Sequence, residues 1–212
     1  MPGLAHSAIR GIVFDLDGTL YVSKPFAATI QETAVGYIAN LNGISGDEAR
    51  LQMMAARARL SETQGITPTL SAVCIELGGS IRDLHAVFEG QLHPESYLVR
   101  DERVIALLER LSQRFELCVY TNNNRTLTTR IVAYLGLDGF FRHIFAIDDR
   151  WLAKPDEEML EQVLDRLGLA PDEALFVGDR YDVDLRLPER YGCPVYLSQS
   201  VEQLLRLEEL LH

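Results

Sequence analysis

The sequence predicts an α/β fold: a parallel sheet of five strands with helices on both faces, interrupted after its first strand by a block of helices. Three observations predict it. Five short apolar runs rich in β-branched residues are spread between residues 9 and 197, and such near-continuous runs suit parallel strands covered on both faces. From residue 98 onward the runs alternate with helical patterns, which implies right-handed crossovers. Residues 24–97 hold several helix patterns and no good strand, a stretch far longer than a loop in a compact domain.

Taken in order, Ile9–Phe14 (IRGIVF) is the first buried strand and ends at Asp15. Helix patterns follow at Phe26–Leu41, Asp47–Glu62, Thr69–Leu77 and Ile81–Phe88, separated by Gly43, Gly46, Gly65, Pro68, Gly78, Gly79 and Pro94. On Asp47–Glu62 the residues Leu51, Met54, Ala55 and Ala58 read as one apolar face. Arg57 and Arg59 lie about 200° apart around that helix, so at most one can face a site. The alternating region then runs helix Glu102–Gln113, strand Phe115–Tyr120, helix Thr126–Leu135, strand His143–Ile147 and helix Asp156–Leu167. Pro155 is expected as the first residue of that last helix. Strands Ala174–Val177 and Pro194–Leu197 and helix Val201–Leu211 complete the chain. The expected division is a core of residues 1–22 and 98–212 with a helical unit at 23–97.

Composition narrows the function. The 212 residues carry 20 basic and 31 acidic side chains, a formal net charge of -11 and a pI near 4.9. That field repels a phosphate backbone at long range, so a nucleic-acid polymer is disfavoured and none is expected as partner; a small anion needs a local cation to override it. No apolar run reaches the roughly 20 residues of a membrane helix, and Arg10, Asp15 and Asp17 break the first apolar segment, unlike a secretory signal. Cys74, Cys118 and Cys193 are too scattered for a disulfide framework or a zinc site and read as buried thiols. The expectation is a cytoplasmic protein.

Chemistry concentrates at strand ends. Asp15 and Asp17 in DLDGTL follow the first strand directly, and the carboxyl ends of parallel strands form the binding crevice of such sheets. An Asp-Gly turn is the simpler reading, but charge beside a core strand is costly. In FVGDRYDVD, Asp179, Asp182 and Asp184 follow another strand; helix capping explains Asp182 well and Asp179 poorly. If both strands are central neighbours, Asp15, Asp17 and Asp179 converge. Each like-charged pair at about 4 Å costs on the order of 4 kcal/mol at an effective dielectric of 20, and Mg²⁺ on hard carboxylate oxygens removes that cost. Thr121 and Asn122, in VYTNNNR, suit a helix cap or a phosphate held at a helix N-terminus. Lys154 precedes an acidic first helical turn, where the dipole disfavours a cation. An ordinary surface lysine remains the commoner reading of that residue alone.

Asp15-Leu-Asp17-Gly-Thr19, Thr121-Asn122, Lys154-Pro155 and Gly178-Asp179 with Asp184 occur in this order. Together they resemble the four motifs of the haloacid dehalogenase-like hydrolases, over essentially the whole core. The resemblance implies a doubly wound sheet of order 3-2-1-4-5 with an α-helical cap inserted after the first motif. It implies Asp15 as nucleophile forming an aspartyl phosphate, Asp17 as general acid and then base, Thr121 and Asn122 as phosphate-binding groups, and Lys154 as the stabilising cation. Mg²⁺ is implied as cofactor, on Asp15, the Asp17 carbonyl and Asp179, with Asp184 as a further or occasional ligand. Asp182 matches no motif position and reads as a helix cap.

Among the reactions of that family, dehalogenation is disfavoured because Asp17 supplies the second acid that dehalogenases lack. Phosphonate cleavage is disfavoured because Lys24 is the only lysine in residues 24–97. A sugar phosphomutase shares all four motifs and remains the alternative, as does a non-catalytic phospho-ligand binding module. The expected function is a Mg²⁺-dependent phosphatase acting on a small phosphorylated metabolite, as a monomer or homodimer. GTLYVS is similar to the pyrimidine 5′-nucleotidase branch, which points to a nucleoside monophosphate. Lys24, Arg57, Arg59, His85 and His93 are the candidate substrate contacts of the helical unit.

Overall fold

A computed structural model describes residues 9–211; residues 1–8 and 212 of the expected core segments lie outside the described residues. Five parallel strands form one sheet of order β3-β2-β1-β4-β5: β1 (Gly11–Phe14), β2 (Glu116–Tyr120), β3 (His143–Phe145), β4 (Ala174–Gly178) and β5 (Val195–Leu197). β1 is flanked by β2 and β4, with Phe14 opposite both Val119 and Val177. Side-chain alternation sends Ile12, Phe14, Leu117, Val119, Leu175 and Val177 to one face, beneath α5 (Glu102–Ser112) and α6 (Arg125–Leu135). Val13, Cys118, Phe176 and Tyr120 face the other way, beneath α7 (Glu157–Leu167). Both faces are therefore covered, which is why the strands read as unbroken apolar runs. All three cysteines are buried and free, and no helix among the described residues is long and apolar enough to cross a membrane.

Between β1 and α5 stand four helices, α1 (Lys24–Asn42), α2 (Gly46–Gln64), α3 (Leu70–Glu76) and α4 (Ile81–Gln91). Each begins with a capping hydroxyl: Ser23, Ser45, Thr69 and Ser80 accept from backbone N–H groups of the first turn. Phe26, Ile38, Met53, Val73, Leu84 and Phe88 join them into a core continuous with that of the sheet.

Five local expectations change. The buried face of α2 is Ala49, Met53 and Ala56, whereas Leu51 and Met54 are 67% and 63% exposed and Ala55 and Ala58 also face outward. The row 49-53-56 keeps helical spacing as well as 51-54-58 does, and periodicity in an alanine- and methionine-rich helix could not choose between them. β3 stops at Phe145 and the chain turns into a 3₁₀ turn at Ile147–Asp149, where the Asp149 carboxylate accepts from the Ala146 N–H (3.0 Å). Pro155 is not helical: Asp156 is the cap of α7, its carboxylate accepting from the Met159 N–H (2.8 Å). Asp182 caps nothing and instead pairs with Arg186 (3.3 Å). The last helix splits into a short helix at Val201–Leu204 and a 3₁₀ turn at Leu207–Leu210, which keeps Leu204, Leu207 and Leu211 all in the core.

The α2 correction gives a test. Met53→Ala should cost about 2–5 kcal/mol, as deletion in a packed core does, and Leu51→Ala should stay within about 0.5 kcal/mol. Chemical denaturation of the two variants measures both, and equal losses would mean that the inward face is misassigned.

Candidate active site

The sheet register brings the acids together. Because Phe14 lies opposite Val177, the residues that follow, Asp15 on β1 and Gly178-Asp179 on β4, leave the sheet side by side, and the Asp15 N–H donates to the Val177 carbonyl (2.8 Å). Gly178 is required there, since a Cβ would lie 2.4 Å from Asp184 Cβ. Beyond it the chain makes a π-type turn at Tyr181–Leu185, a rare form frequent at functional sites, which turns Asp184 inward. Gly18 has φ +90°, and a Cβ on it would lie 2.5 Å from Asp179 Oδ2. The Asp15–Leu20 loop can close over Asp179 only with glycine at this position.

Lys154 is the centre of the cluster. Its side chain is 3% exposed, and Nζ donates to Asp15 Oδ1 (2.7 Å), Asp184 Oδ1 (2.6 Å) and the Tyr120 carbonyl (2.9 Å). Its own N–H donates to Asn122 Oδ1 (2.7 Å), so the loop after β2 holds the lysine from behind. Asp184 Oδ2 accepts from the Arg180 N–H (3.0 Å), and Thr19 Oγ1 donates to Asp15 Oδ2 (3.3 Å). Asp15, Asp179 and Asp184 each offer an oxygen, all within 4.8 Å of one another. Such a hard, all-oxygen set fits Mg²⁺.

Three like charges under one ammonium are incompletely balanced. Burial pushes Asp15 up to about 8, against the opposing pull of Lys154 and with help from Asp184, Asp17 and Asp179. Burial and Asp184 lift Asp179 to about 6. Lys154 moves upward: burial opposes its charge, and Asp15 and Asp184 more than compensate.

Asp17 does not join the carboxylate cluster, contrary to the convergence of Asp15, Asp17 and Asp179 expected from spacing. Its Oδ1 accepts from the Tyr21 hydroxyl and its Oδ2 from Asn123 Nδ2 (2.6 Å); burial raises its pKa while those two bonds pull it down. Extended geometry places Asp15 and Asp17 on one side, but in the turn closed by Gly18 N–H to the Tyr21 carbonyl (2.9 Å) the Asp17 carboxylate is taken up by Tyr21 and Asn123. Thr121 is buried on the same cavity, its Oγ1 accepting from the Asn123 N–H (3.1 Å). It lies upstream of α6, whose cap is Asn124. Asn122 Nδ2 is buried without a partner among the described residues.

Asp15, Asp17, Thr121, Asn122 and Asn123 border a cavity of about 240 Å³ between the strand ends and α1–α4, with Arg57, Gln31, His85 and Arg180 also on its wall. Of the five basic residues singled out by sequence, Arg57 and His85 reach it. Arg59 pairs with Glu76 and His93 with Glu95 on the outside. Lys24 borders a recess behind Asp17 and Asp179 and a larger one of about 700 Å³ between residues 20–25 and 97–102, which none of the cluster acids faces. Burial pushes His85 down to about 4, with Asp148 opposing, so its ring is neutral at physiological pH. Sequence reading missed Asn123, indistinguishable within a run of three asparagines, and Arg180, one charge in an acidic loop.

The family model described as haloacid dehalogenase-like hydrolase matches residues 9–191. Among curated proteins, the phosphoglycolate phosphatase of Escherichia coli O157:H7 is 27% identical over 203 residues, covering 88% of this chain and 79% of that protein. Among solved structures, the HAD phosphatase of Thermococcus onnurineus superposes with a TM-score of 0.62 at 21% identity, over 96% of this chain and 98% of its own. A 2-haloacid dehalogenase from Pseudomonas syringae superposes almost as well, with a TM-score of 0.61 at 21% identity over 96% and 98%. Likeness at that distance fixes architecture, and chemistry has to be read from the site.

The raised carboxylates carry a sign that can be tested. Asp15 binds its proton more tightly folded than unfolded, so its contribution to stability is present below about pH 4 and is lost as pH rises toward 8. In metal-free protein, Asp15→Asn should therefore be near neutral at pH 5 and stabilising at pH 8, by at least about 2–4 °C in Tm. His85 titrates the opposite way in both proteins and cancels in the difference. A Tm difference that is flat between pH 5 and 8 would contradict the assignment.

Proposed function

The chain belongs to the haloacid dehalogenase-like hydrolases and is a phosphoric monoester hydrolase, and from that premise we propose a Mg²⁺-dependent phosphatase working through an aspartyl phosphate on Asp15. The single observation that carries this reading is the meeting of Asp15, Lys154, Asp179 and Asp184 in one buried cluster, of which Asp15 also lines a small cavity.

Mg²⁺ would be held by Asp15, Asp179 and Asp184 with the Asp17 carbonyl. Bound there, it supplies positive charge that keeps Asp15 ionised and draws charge from the phosphoryl oxygens. One Asp15 oxygen attacks phosphorus, and Lys154 stabilises both that carboxylate and the charge that develops on the transferring group. Thr121 Oγ1 and Asn122 Nδ2 are the neutral donors left for phosphate oxygens. Asp17 donates a proton to the departing alcohol oxygen, then takes one from the water that attacks the aspartyl phosphate. Tyr21 and Asn123 each donate to one of its two oxygens and hold the carboxyl in place.

Helices α1–α4 act in this reading as a cap that selects the alcohol. A cavity of about 240 Å³ is smaller than the roughly 300–1,000 Å³ that encloses drug-sized ligands. Its cation from the helical block is Arg57. Both features favour a short alcohol bearing a carboxylate over a nucleoside. Phosphoglycolate, the substrate in the curated relatives' name, is the first candidate, ahead of a nucleoside monophosphate. A turnover panel of phosphoglycolate, nucleoside monophosphates and sugar phosphates decides among them, and interconversion of a sugar phosphate without net hydrolysis would favour a phosphomutase instead.

Removing divalent cations should abolish turnover and lower Tm, and Mg²⁺ should restore both, since a ligand bound only by the native state stabilises it. Full activity after exhaustive chelation would sink the metal role. Asp17→Asn should lose on the order of 10² to 10⁴ in kcat, less with aryl phosphates, whose leaving groups need little protonation. Intact-mass spectrometry with an aryl phosphate and Mg²⁺ should find a phosphoryl adduct in Asp17→Asn and none in Asp15→Asn; the reverse pattern would overturn both roles.

A further inference from the structure

Trp151 is the one non-glycine residue with positive φ among the described residues, at 60°. Bulky side chains are disfavoured in that region, and such strain persists only where the surroundings over-determine it. Here the surroundings are α4. The Arg82 guanidinium carbon lies 4.8 Å from the centre of the Trp151 ring, and the His85 ring meets it edge-on at 6.5 Å. Residues 82 and 85 are one helical turn apart, so a single face of α4 grips the indole. Arg82 is exposed and pairs with no carboxylate among the described residues, which leaves its charge to the ring. On the backbone side, the Trp151 N–H donates to the Ile147 carbonyl (2.5 Å).

Lys154 is only three residues further on, in a segment with neither helix nor strand. We infer that Trp151 is a positioning residue: α4 grips its ring, and through the intervening segment that grip holds Lys154 among Asp15, Asp184 and the Tyr120 carbonyl. The inference rests on the role proposed above for Lys154. A ring that merely filled space would need no left-handed backbone; a leucine on relaxed backbone would do. If φ at 151 relaxes, the direction of the chain into Lys154 changes, and the bond from the Lys154 N–H to Asn122 is the first to be pulled. A second tie fixes α4 to the loop after β2, which also holds the Lys154 N–H through Asn122: Asn124 Nδ2 donates to the His85 carbonyl (2.9 Å). His85 also borders the catalytic cavity, so one residue touches both the substrate space and the grip on the lysine loop. The placement of the helical block is thereby transmitted to the catalytic cation.

The test uses the full-length protein, in which Trp151 is the sole tryptophan. Its fluorescence and the hydrogen exchange of the Lys154 amide are read without substrate, and kcat is measured on an aryl phosphate with Mg²⁺. Arg82→Gln should red-shift the emission, speed Lys154 exchange about two- to fivefold and lower kcat by a similar factor, the worth of one exposed cation–π contact. Arg82→Lys keeps the charge over the ring and should restore all three. Trp151→Gly accepts φ 60° without strain and should give at least tenfold losses; if it fails to fold, the Arg82 pair still decides. Unchanged exchange and kcat in Arg82→Gln, or Arg82→Lys as impaired as Arg82→Gln, would overturn the inference. A wild-type protein inert toward every phosphate ester would defeat the phosphatase reading and leave exchange at Lys154 to decide this one.

Discussion

The buried ammonium of Lys154 is the constraint around which the molecule is arranged. An isolated charge at 3% exposure is prohibitively costly, so carboxylates must meet it, and Asp15 and Asp184 come from opposite ends of the chain to do so. Two anions on one cation leave a surplus, and Asp179 increases it. A site built this way is incomplete without a further positive charge, and that incompleteness is what suits it to a divalent cation.

The rest of the fold serves that meeting. Only with β1 between β2 and β4 can loops from three strands reach one point, and only glycine at 18 and 178 lets those loops approach without collision. The π-type turn after β4 brings Asp184 inward where a regular helix would present a different residue. Tyr21 and Asn123 hold the Asp17 carboxylate beside the cluster. Fixing the carboxylates on strand ends, with packed cores on both faces, keeps them at close quarters despite their repulsion, as catalytic preorganisation requires.

Much of this was legible in the residues. Apolar runs ending in Asp15, Thr121 and Asp179 located three strand ends, and the motif order supplied the strand adjacency that local patterns lack. The four helices between residues 24 and 91 were legible because Gly and Pro punctuate them. Details set by packing were not. Met53 and Met54 are equivalent to any periodicity argument until a neighbouring helix chooses one. Asn122, Asn123 and Asn124 have the same side chain and three different duties: holding the Lys154 backbone, holding Asp17 and capping α6. Trp151 lay in a stretch with no motif, and its significance depends on a dihedral angle and on a helix some 65 residues earlier.

The pairing of β1 with β4 joins Gly11 to Ala174, so the chain must close a very long loop before its central strand is flanked on both sides. Contacts of that separation form late and slow the search for the native state. During synthesis β1 can find β2 long before β4 leaves the ribosome, and Lys154 also precedes β4. A nascent chain thus carries Asp15 and its lysine for many residues without Asp179 or Asp184. The carboxylate trio is completed only when the C-terminal strands dock, so the acidic cluster cannot assemble until almost the whole length of the polypeptide has been made.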